Sequence, residues 1–391
     1  MPQPHIITLE EHFTSPKLKA LRGEKDSPVQ RKLDDLGALR IAEMDEAGID
    51  LQVISENNPA TQNLDAEMAV KLARESNDVL HEAVRAHPTR FAAFATLPTP
   101  DPKAAAAELE RCVDKLGFKG AMIMGLTHGR FMDDKQFRPI FERAAALDVP
   151  VYIHPTPPMQ AVQDAWFKEY PALAVAPLGF TLETLTHTVR LVVSGLFDEF
   201  PKLKIIVGHL GETMPYLMWR TNYLVAERMK MPRDFAAYYR EHFWLTTSGS
   251  FSDAALTCAV TEMGVERILF SVDWPFMPNA RPPMARRSAC QRTGSRIDFR
   301  GQCAETAENL TINKKRLWEE THEVHAIDRP ARACAGATRF GRPCAKRILS
   351  EPDGTHRQPF HRRQCQRHSW SRTGREARRD VGPDGHRREQ A

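Results

Sequence analysis

Short apolar runs alternate with longer amphipathic segments along residues 6–273, and this alternation leaves few architectures open to the chain. The runs occupy 6–12, 50–55, 91–97, 120–125, 149–155, 203–209, 243–248 and 267–273. They do not switch strictly between apolar and polar residues, which is the pattern of parallel strands covered on both faces. Between them, apolar residues recur at helical spacing over 37–48, 65–86, 101–116, 134–147, 182–197, 213–229 and 252–263. Leu39, Ile41, Met44 and Ala47 form the apolar stripe of the first, and Gly48 stops it. Asn63 or Asp65 caps the second, His87-Pro88 closes it, and Gly117 ends the third. Residues 14–36 read as polar and irregular, too long for an ordinary turn.

Eight strands within residues 1–280, each but the last followed by a helix, predict an α/β fold: one (β/α)8 TIM barrel. The alternative is an open doubly wound sheet. That fold needs a phosphate-binding turn or similar switch-point site, and no G-x-G-x-x-G follows any run.

In such a barrel the active site lies at the C-terminal ends of the strands. Those ends carry Glu10 and His12 after the first run, His154 after the fifth, His209 after the sixth and Asp273 after the eighth. Side chains alternate along a strand, so Glu10 and His12 share a face, while Glu11 points away and is assigned to structure. A lone His at a strand end is more often structural than functional. Three His, one Glu and one Asp at one end of one barrel form a donor set for a divalent ion: Zn, Mn, Fe or Mg. His128, in Gly125-Leu126-Thr127-His128-Gly129, either lines the pocket or belongs to a loop. Met122, Met124, Met214 and Met218 read as core or pocket wall. Trp166, Phe167 and Tyr170 read as a lid or as packing.

Five stretches stand out in order: Leu9-Glu10-Glu11-His12-Phe13, Tyr152-Ile153-His154-Pro155, Phe200-Pro201-Lys202-Leu203-Lys204-Ile205-Ile206-Val207-Gly208-His209-Leu210-Gly211-Glu212, Thr246-Thr247-Ser248-Gly249 and Ile268-Leu269-Phe270-Ser271-Val272-Asp273-Trp274-Pro275-Phe276. Together they resemble the amidohydrolase-related branch of the amidohydrolase superfamily, which includes metal-dependent, non-oxidative decarboxylases of aromatic acids. The Leu-Glu-Glu-His form is similar to that of the dihydroxybenzoate (resorcylate and pyrocatechuate) decarboxylases. The resemblance implies that Glu10, His12, His154 and Asp273 hold one divalent metal ion, Zn, Mn or Mg. It implies that His209 and Glu212 form a supporting or acid–base pair and that Arg220, on the next helix, contacts substrate. It also implies a small aromatic acid as substrate and a homodimer or homotetramer. Those decarboxylases usually carry Arg-Asn after His-Pro, where this chain has Thr156-Pro157-Pro158. The departure bears on the substrate more than on the metal.

The chemistry follows from the groups. Loss of CO2 from an aromatic acid requires a proton at the ipso carbon, and a divalent ion that grips the carboxylate and an ortho hydroxyl fixes the ring. Asp273 is the candidate proton donor. The same groups suit hydrolysis of a lactone or amide, with Asp273 as general base toward a metal-activated water. The resemblance is what favours decarboxylation.

Charge divides the chain. Residues 1–280 hold 29 Lys+Arg against 37 Asp+Glu, a net −8; residues 281–391 hold 25 against 13, a net +12. Five of the seven cysteines fall in the second part, and a basic, Arg-rich tail is one signature of nucleic-acid binding. We read residues 281–391 instead as a low-order tail translated out of frame, which replaces the last helix of the barrel. Residues 299–309 can be encoded so that dropping one base yields Phe-Ala-Gly-Asn-Ala-Arg-Lys-Leu-Leu-Lys, similar to the family's closing helix. No nucleic acid partner is then expected. No stretch approaches the roughly 18 apolar residues that span a bilayer, and no signal peptide is readable. Cys112 and Cys258 lie in helical patterns as reduced residues, and the expected location is cytoplasmic, with no membrane contact.

Overall fold

The computed structural model describes residues 5–279. The tail over 281–391, its shifted frame and the missing closing helix lie outside the described residues. Among the described residues nine strands appear in order: β1 (Ile7–Phe13), β2 (Leu51–Glu56), β3 (Phe91–Ala93), β4 (Ala95–Thr96), β5 (Ala121–Met124), β6 (Val151–His154), β7 (Ile205–Val207), β8 (Phe243–Thr246) and β9 (Ile268–Leu269). They form the parallel sheets β1-β2-β3 and β4-β5-β6-β7-β8-β9.

The run over 91–97 is therefore divided rather than continuous. Hydrogen bonds carry across the division: Phe94 N donates to Ile54 O at 2.9 Å, and Ala95 N donates to Gly120 O at 2.8 Å. The backbone thus passes from β2 to β5 within two residues, and β3 and β4 together make one of eight barrel staves. Alternation continues through the break. Ala92 and Phe94 belong to the barrel interior with Val53, Met122 and Tyr152, while Ala93 and Ala95 face the layer of helices.

The helices run in the expected order, with Ala66–Ala86 the longest. Asp65 caps it by accepting from Met68 N at 3.0 Å, a contribution of about 1 kcal/mol. Its buried stripe is Ala69, Leu72, Ala73 and Leu80. Residues 14–36 are not irregular: they contain the helices Pro16–Arg22 and Pro28–Asp34. Each has Ser at the N-cap and Pro at the first helical position, and Ser27 accepts from Gln30 N at 3.0 Å. Phe235–His242 is a further helix the periodicity did not give.

The barrel closes in an unusual way. β9 covers only Ile268–Leu269, not the whole of 267–273. Beyond it, residues 271–274 meet β1 largely through side chains. Leu9 N and Glu10 N donate to Ser271 Oγ at 3.1 and 2.7 Å. The Glu11 carboxylate accepts from Ser271 Oγ at 3.0 Å, Val272 N at 3.1 Å and Trp274 N at 3.0 Å. One backbone bond, His12 N to Trp274 O at 2.8 Å, completes the seam. The cause is local: the register of β1 shifts between Thr8 and Glu11, a bulge that takes its backbone out of phase with a straight ladder. Burial pushes the Glu11 carboxyl up to about 7, against the bonds from Val272 and Trp274. Arg40, fully buried, lies 4.0 Å from the Trp274 ring and donates to His12 O. Trp274 Nε1 donates in turn to Glu43 at 2.7 Å.

Candidate metal centre

The bulge in β1 serves the site as well as the seam. Leu9 belongs to the interior cluster, yet Glu10, the next residue, also reaches the interior. Glu10 is fully buried. Its Oε2 accepts from Tyr152 OH, from Ser248 Oγ and, at 3.3 Å, from Thr246 Oγ1. Its Oε1 has no hydrogen-bond partner among the described residues. Burial and then the Glu10 charge hold the Tyr152 phenol well above its ordinary pKa, so it stays a donor.

His12 is oriented by Ser55 Oγ, 3.3 Å from its Nδ1, and its buried Nε2 has no hydrogen-bond partner among the described residues. His154 Nδ1 lies 2.8 Å from Pro155 O. A carbonyl only accepts, so Nδ1 carries the proton and Nε2 the lone pair. His154 Nε2 is 3.4 Å from Glu10 Oε1, and His12 Nε2 is 3.4 Å from Asp273 Oδ1. One donor atom from each of Glu10, His12, His154 and Asp273 lies within 4.8 Å of all the others. Burial, then His12, pushes the His154 imidazole down to about 4, which favours the neutral, metal-binding form. Burial acts to raise Asp273, but His12 and His209 overcome it and hold the carboxyl at about 2.

These residues fit one divalent ion. Two imidazoles and two carboxylates suit a borderline to hard cation. Glu10 Oε1 and His12 Nε2 are buried polar atoms, and each costs about 1–3 kcal/mol when left without a partner. A cation among the four donors removes that cost.

His209 and Glu212 stand beside the cluster on a turn of reversed hand. His209, Leu210, Gly211, Glu212 and Thr213 have φ of 51°, 54°, 78°, 50° and 66°. Each non-glycine costs about 1–2 kcal/mol in this conformation, and such strain gathers where geometry matters. The turn brings His209 Nδ1 to 2.6 Å from Glu212 Oε1, and Glu212 Oε2 accepts from Thr181 Oγ1 at 2.7 Å. His209 Nε2 is 3.9 Å from both Glu10 Oε1 and Asp273 Oδ2. Burial acts to lower the His209 pKa, but Glu10, Glu212 and Asp273 hold it well above the ordinary value. Two glycines permit the approach. A Cβ on Gly208 would stand 2.7 Å from Glu10 Oε2, and one on Gly249 would stand 2.9 Å from His209 Cδ2.

A family model described as Amidohydrolase matches residues 5–307. The chain belongs to the amidohydrolase family. Gamma-resorcylate decarboxylase of Polaromonas sp. strain JS666 is 44% identical over 288 residues, 69% of this chain and 88% of that protein. A crystal structure of 2,6-dihydroxybenzoate decarboxylase with 2,6-dihydroxybenzoate is 36% identical, with a TM-score of 0.67, covering 81% of this chain and 99% of that one. The dihydroxybenzoic acid decarboxylase of Polaromonas sp. JS666, with bound manganese and the inhibitor 2-nitroresorcinol, is 35% identical at a TM-score of 0.67, covering 83% and 100%.

In this amidohydrolase the fold gathers Glu10, His12, His154, Asp273, His209 and Glu212. It leaves two other candidates outside the cluster: Arg220 and His128 are both exposed. Met122 and Met124 fill the barrel interior, and Met214 and Met218 are buried in the outer core. Trp166 and Tyr170 are 66% and 70% exposed, whereas Phe167 is buried. Sequence reasoning gave no role to Tyr152, Thr246, Ser248, Gly208 or Gly249. A signal for the first existed: Tyr152 precedes His154 by two in a strand and so shares its face.

Proposed function

We propose that this amidohydrolase is a metal-dependent, non-oxidative decarboxylase of a small hydroxylated aromatic acid. Glu10, His12, His154 and Asp273 hold the ion, which is manganese, zinc or magnesium. The observation that carries the reading is the buried cluster in which Glu10 Oε1 and His12 Nε2 have no hydrogen-bond partner among the described residues, in a chain 44% identical to a resorcylate decarboxylase.

When bound, the ion would supply a Lewis acid that draws charge from the substrate carboxylate. The residues supply orientation and the proton. Asp273, ionised in the resting site, takes up the proton held by His209 and passes it to the ring carbon that bears the carboxylate. The bond from that carbon to the carboxylate then breaks, its electron pair returns to the ring, and CO2 departs. His209 lies 3.9 Å from Asp273, and Glu212 holds the His209 Nδ1–H. His128 and Arg220 are assigned no step, because both are exposed.

The test is direct. Manganese-loaded protein incubated with 2,6-dihydroxybenzoate releases one CO2 and one resorcinol per substrate consumed. A metal-loaded protein that releases no CO2 from a panel of hydroxybenzoates but opens lactones or amides overturns the assignment in favour of hydrolysis.

The reading includes a cytoplasmic homodimer or homotetramer that engages neither membrane nor nucleic acid. Cys112 and Cys258 are free, and no described helix is long and apolar enough to cross a membrane. Tyr216, Trp219 and Tyr223 form an exposed aromatic stripe on the helix Met214–Met229, with Trp219 and Tyr223 stacked at 5.6 Å. Tyr and Trp are the residues that dominate binding energy in protein interfaces. Trp219→Glu therefore yields a smaller species by light scattering. A parent protein that is monomeric across the same concentrations sinks the self-assembly reading.

A further inference from the structure

We infer that Tyr152, Thr246 and Ser248 form a hydroxyl clamp that keeps Glu10 a one-oxygen ligand and so reserves room on the ion for a chelating substrate. The inference rests on the decarboxylase reading above. All three residues are fully buried, and all three donate to the same carboxylate oxygen, Glu10 Oε2. They also contact one another: Tyr152 OH lies 2.8 Å from Thr246 Oγ1, which lies 2.6 Å from Ser248 Oγ. Gly208 forms the floor, since a Cβ there would meet Glu10 Oε2 at 2.7 Å and Tyr152 OH at 3.1 Å.

The hydroxyls come from β6, from the end of β8 and from the residues just beyond it. Tyr152 is in β6, and Thr246 ends β8 with Ser248 two residues on, so all three reach Glu10 of β1 across the interior. This oxygen is therefore committed on every side, while Oε1 is left for the cation. A carboxylate oxygen already accepting three hydrogen bonds has little lone-pair density left for a metal. Asp273 provides the contrast. Its oxygens lie 3.4 Å from His12 Nε2 and 3.9 Å from His209 Nε2, with no hydroxyl bonded to either among the described residues. The site thus has one carboxylate locked in orientation and one that retains freedom, which suits the donor that has to reach a ring carbon.

Denticity matters because manganese and magnesium favour about six donors in octahedral sites. Four protein atoms leave room for two substrate oxygens, the carboxylate and its ortho hydroxyl. A second Glu10 oxygen would take one of those places. Tyr152, Thr246 and Ser248 are positioning residues on this account, because they act through Glu10 and touch neither ion nor substrate.

The test needs no turnover. Manganese is titrated into metal-free parent protein and into Tyr152→Phe/Ser248→Ala, with bound Mn2+ followed by electron paramagnetic resonance. Each is then titrated with 2-nitroresorcinol, whose adjacent nitro and hydroxyl groups chelate, and with 3-nitrophenol, whose groups stand too far apart. The double variant still binds one Mn2+ per chain, with an altered resonance spectrum before any anion is added. It loses about tenfold or more in affinity for 2-nitroresorcinol and keeps its affinity for 3-nitrophenol. Ser248→Thr, which retains the hydroxyl, behaves as the parent. Equal losses for both compounds, no loss for either, or loss of Mn2+ from the double variant would overturn the clamp. Failure of the parent itself to bind Mn2+ would reject the metal site, a distinct result from any of these.

Discussion

Replacing both His12 and His154 by Ala removes stoichiometric manganese binding and, with it, CO2 release. Structural zinc sites bind with about 10–16 kcal/mol across four ligands, so two ligands account for roughly 6 kcal/mol, about 10⁴-fold in affinity. Both imidazoles belong to the four-donor cluster, and each is oriented by one modest bond, to Ser55 Oγ and to Pro155 O. Their removal therefore spares the fold while emptying half of the donor set. Metal analysis after desalting reads the outcome, with circular dichroism as the control. A double variant that keeps one tightly bound manganese per chain refutes the assigned ligands.

Glu11→Leu is the second large effect, and it acts on stability. Leu matches Glu in bulk but accepts nothing, so Val272 N, Trp274 N and Ser271 Oγ lose their shared acceptor. Each buried donor left without a partner costs about 1–3 kcal/mol. Arg40 also loses the charge that faces it across the seam. The three donors share one acceptor, so we expect a total of about 3–5 kcal/mol rather than the full sum. Urea unfolding measures it. A loss below about 1 kcal/mol would mean that backbone contacts alone close the barrel.

Much of this was legible because a parallel barrel repeats one rule eight times: an apolar run, a polar end, then a helix. That rule alone places Glu10, His12, His154, His209 and Asp273 at one end of the barrel. What it missed has physical causes. The division at Phe94 leaves no mark, because Ala92 and Phe94 keep facing inward through it. The bulge at Leu9 and Glu10 breaks alternation by one residue, which a run of apolar and acidic residues does not reveal. Ser15-Pro16 and Ser27-Pro28 did announce two short helices, but each offers only about two turns and little apolar period. The reversed turn at 209–213 is invisible in composition, since only one of its five residues is glycine. His128 and Arg220 were named from position along the chain, and position along a loop or helix does not fix which way a side chain faces.

The seam sets when the site can exist during synthesis of the chain. Leu9 N finds its partner in Ser271, 262 residues later, and Glu10 and His12 wait as long for Asp273. Contacts of such separation form late, because a long loop has to close before they return any energy. Until then β1 offers an unpaired edge to whatever else is nearby, a period of exposure to aggregation. No shorter fragment of the chain can hold the four-donor cluster, so ion capture and barrel closure become one event, completed only after the ribosome has passed Trp274.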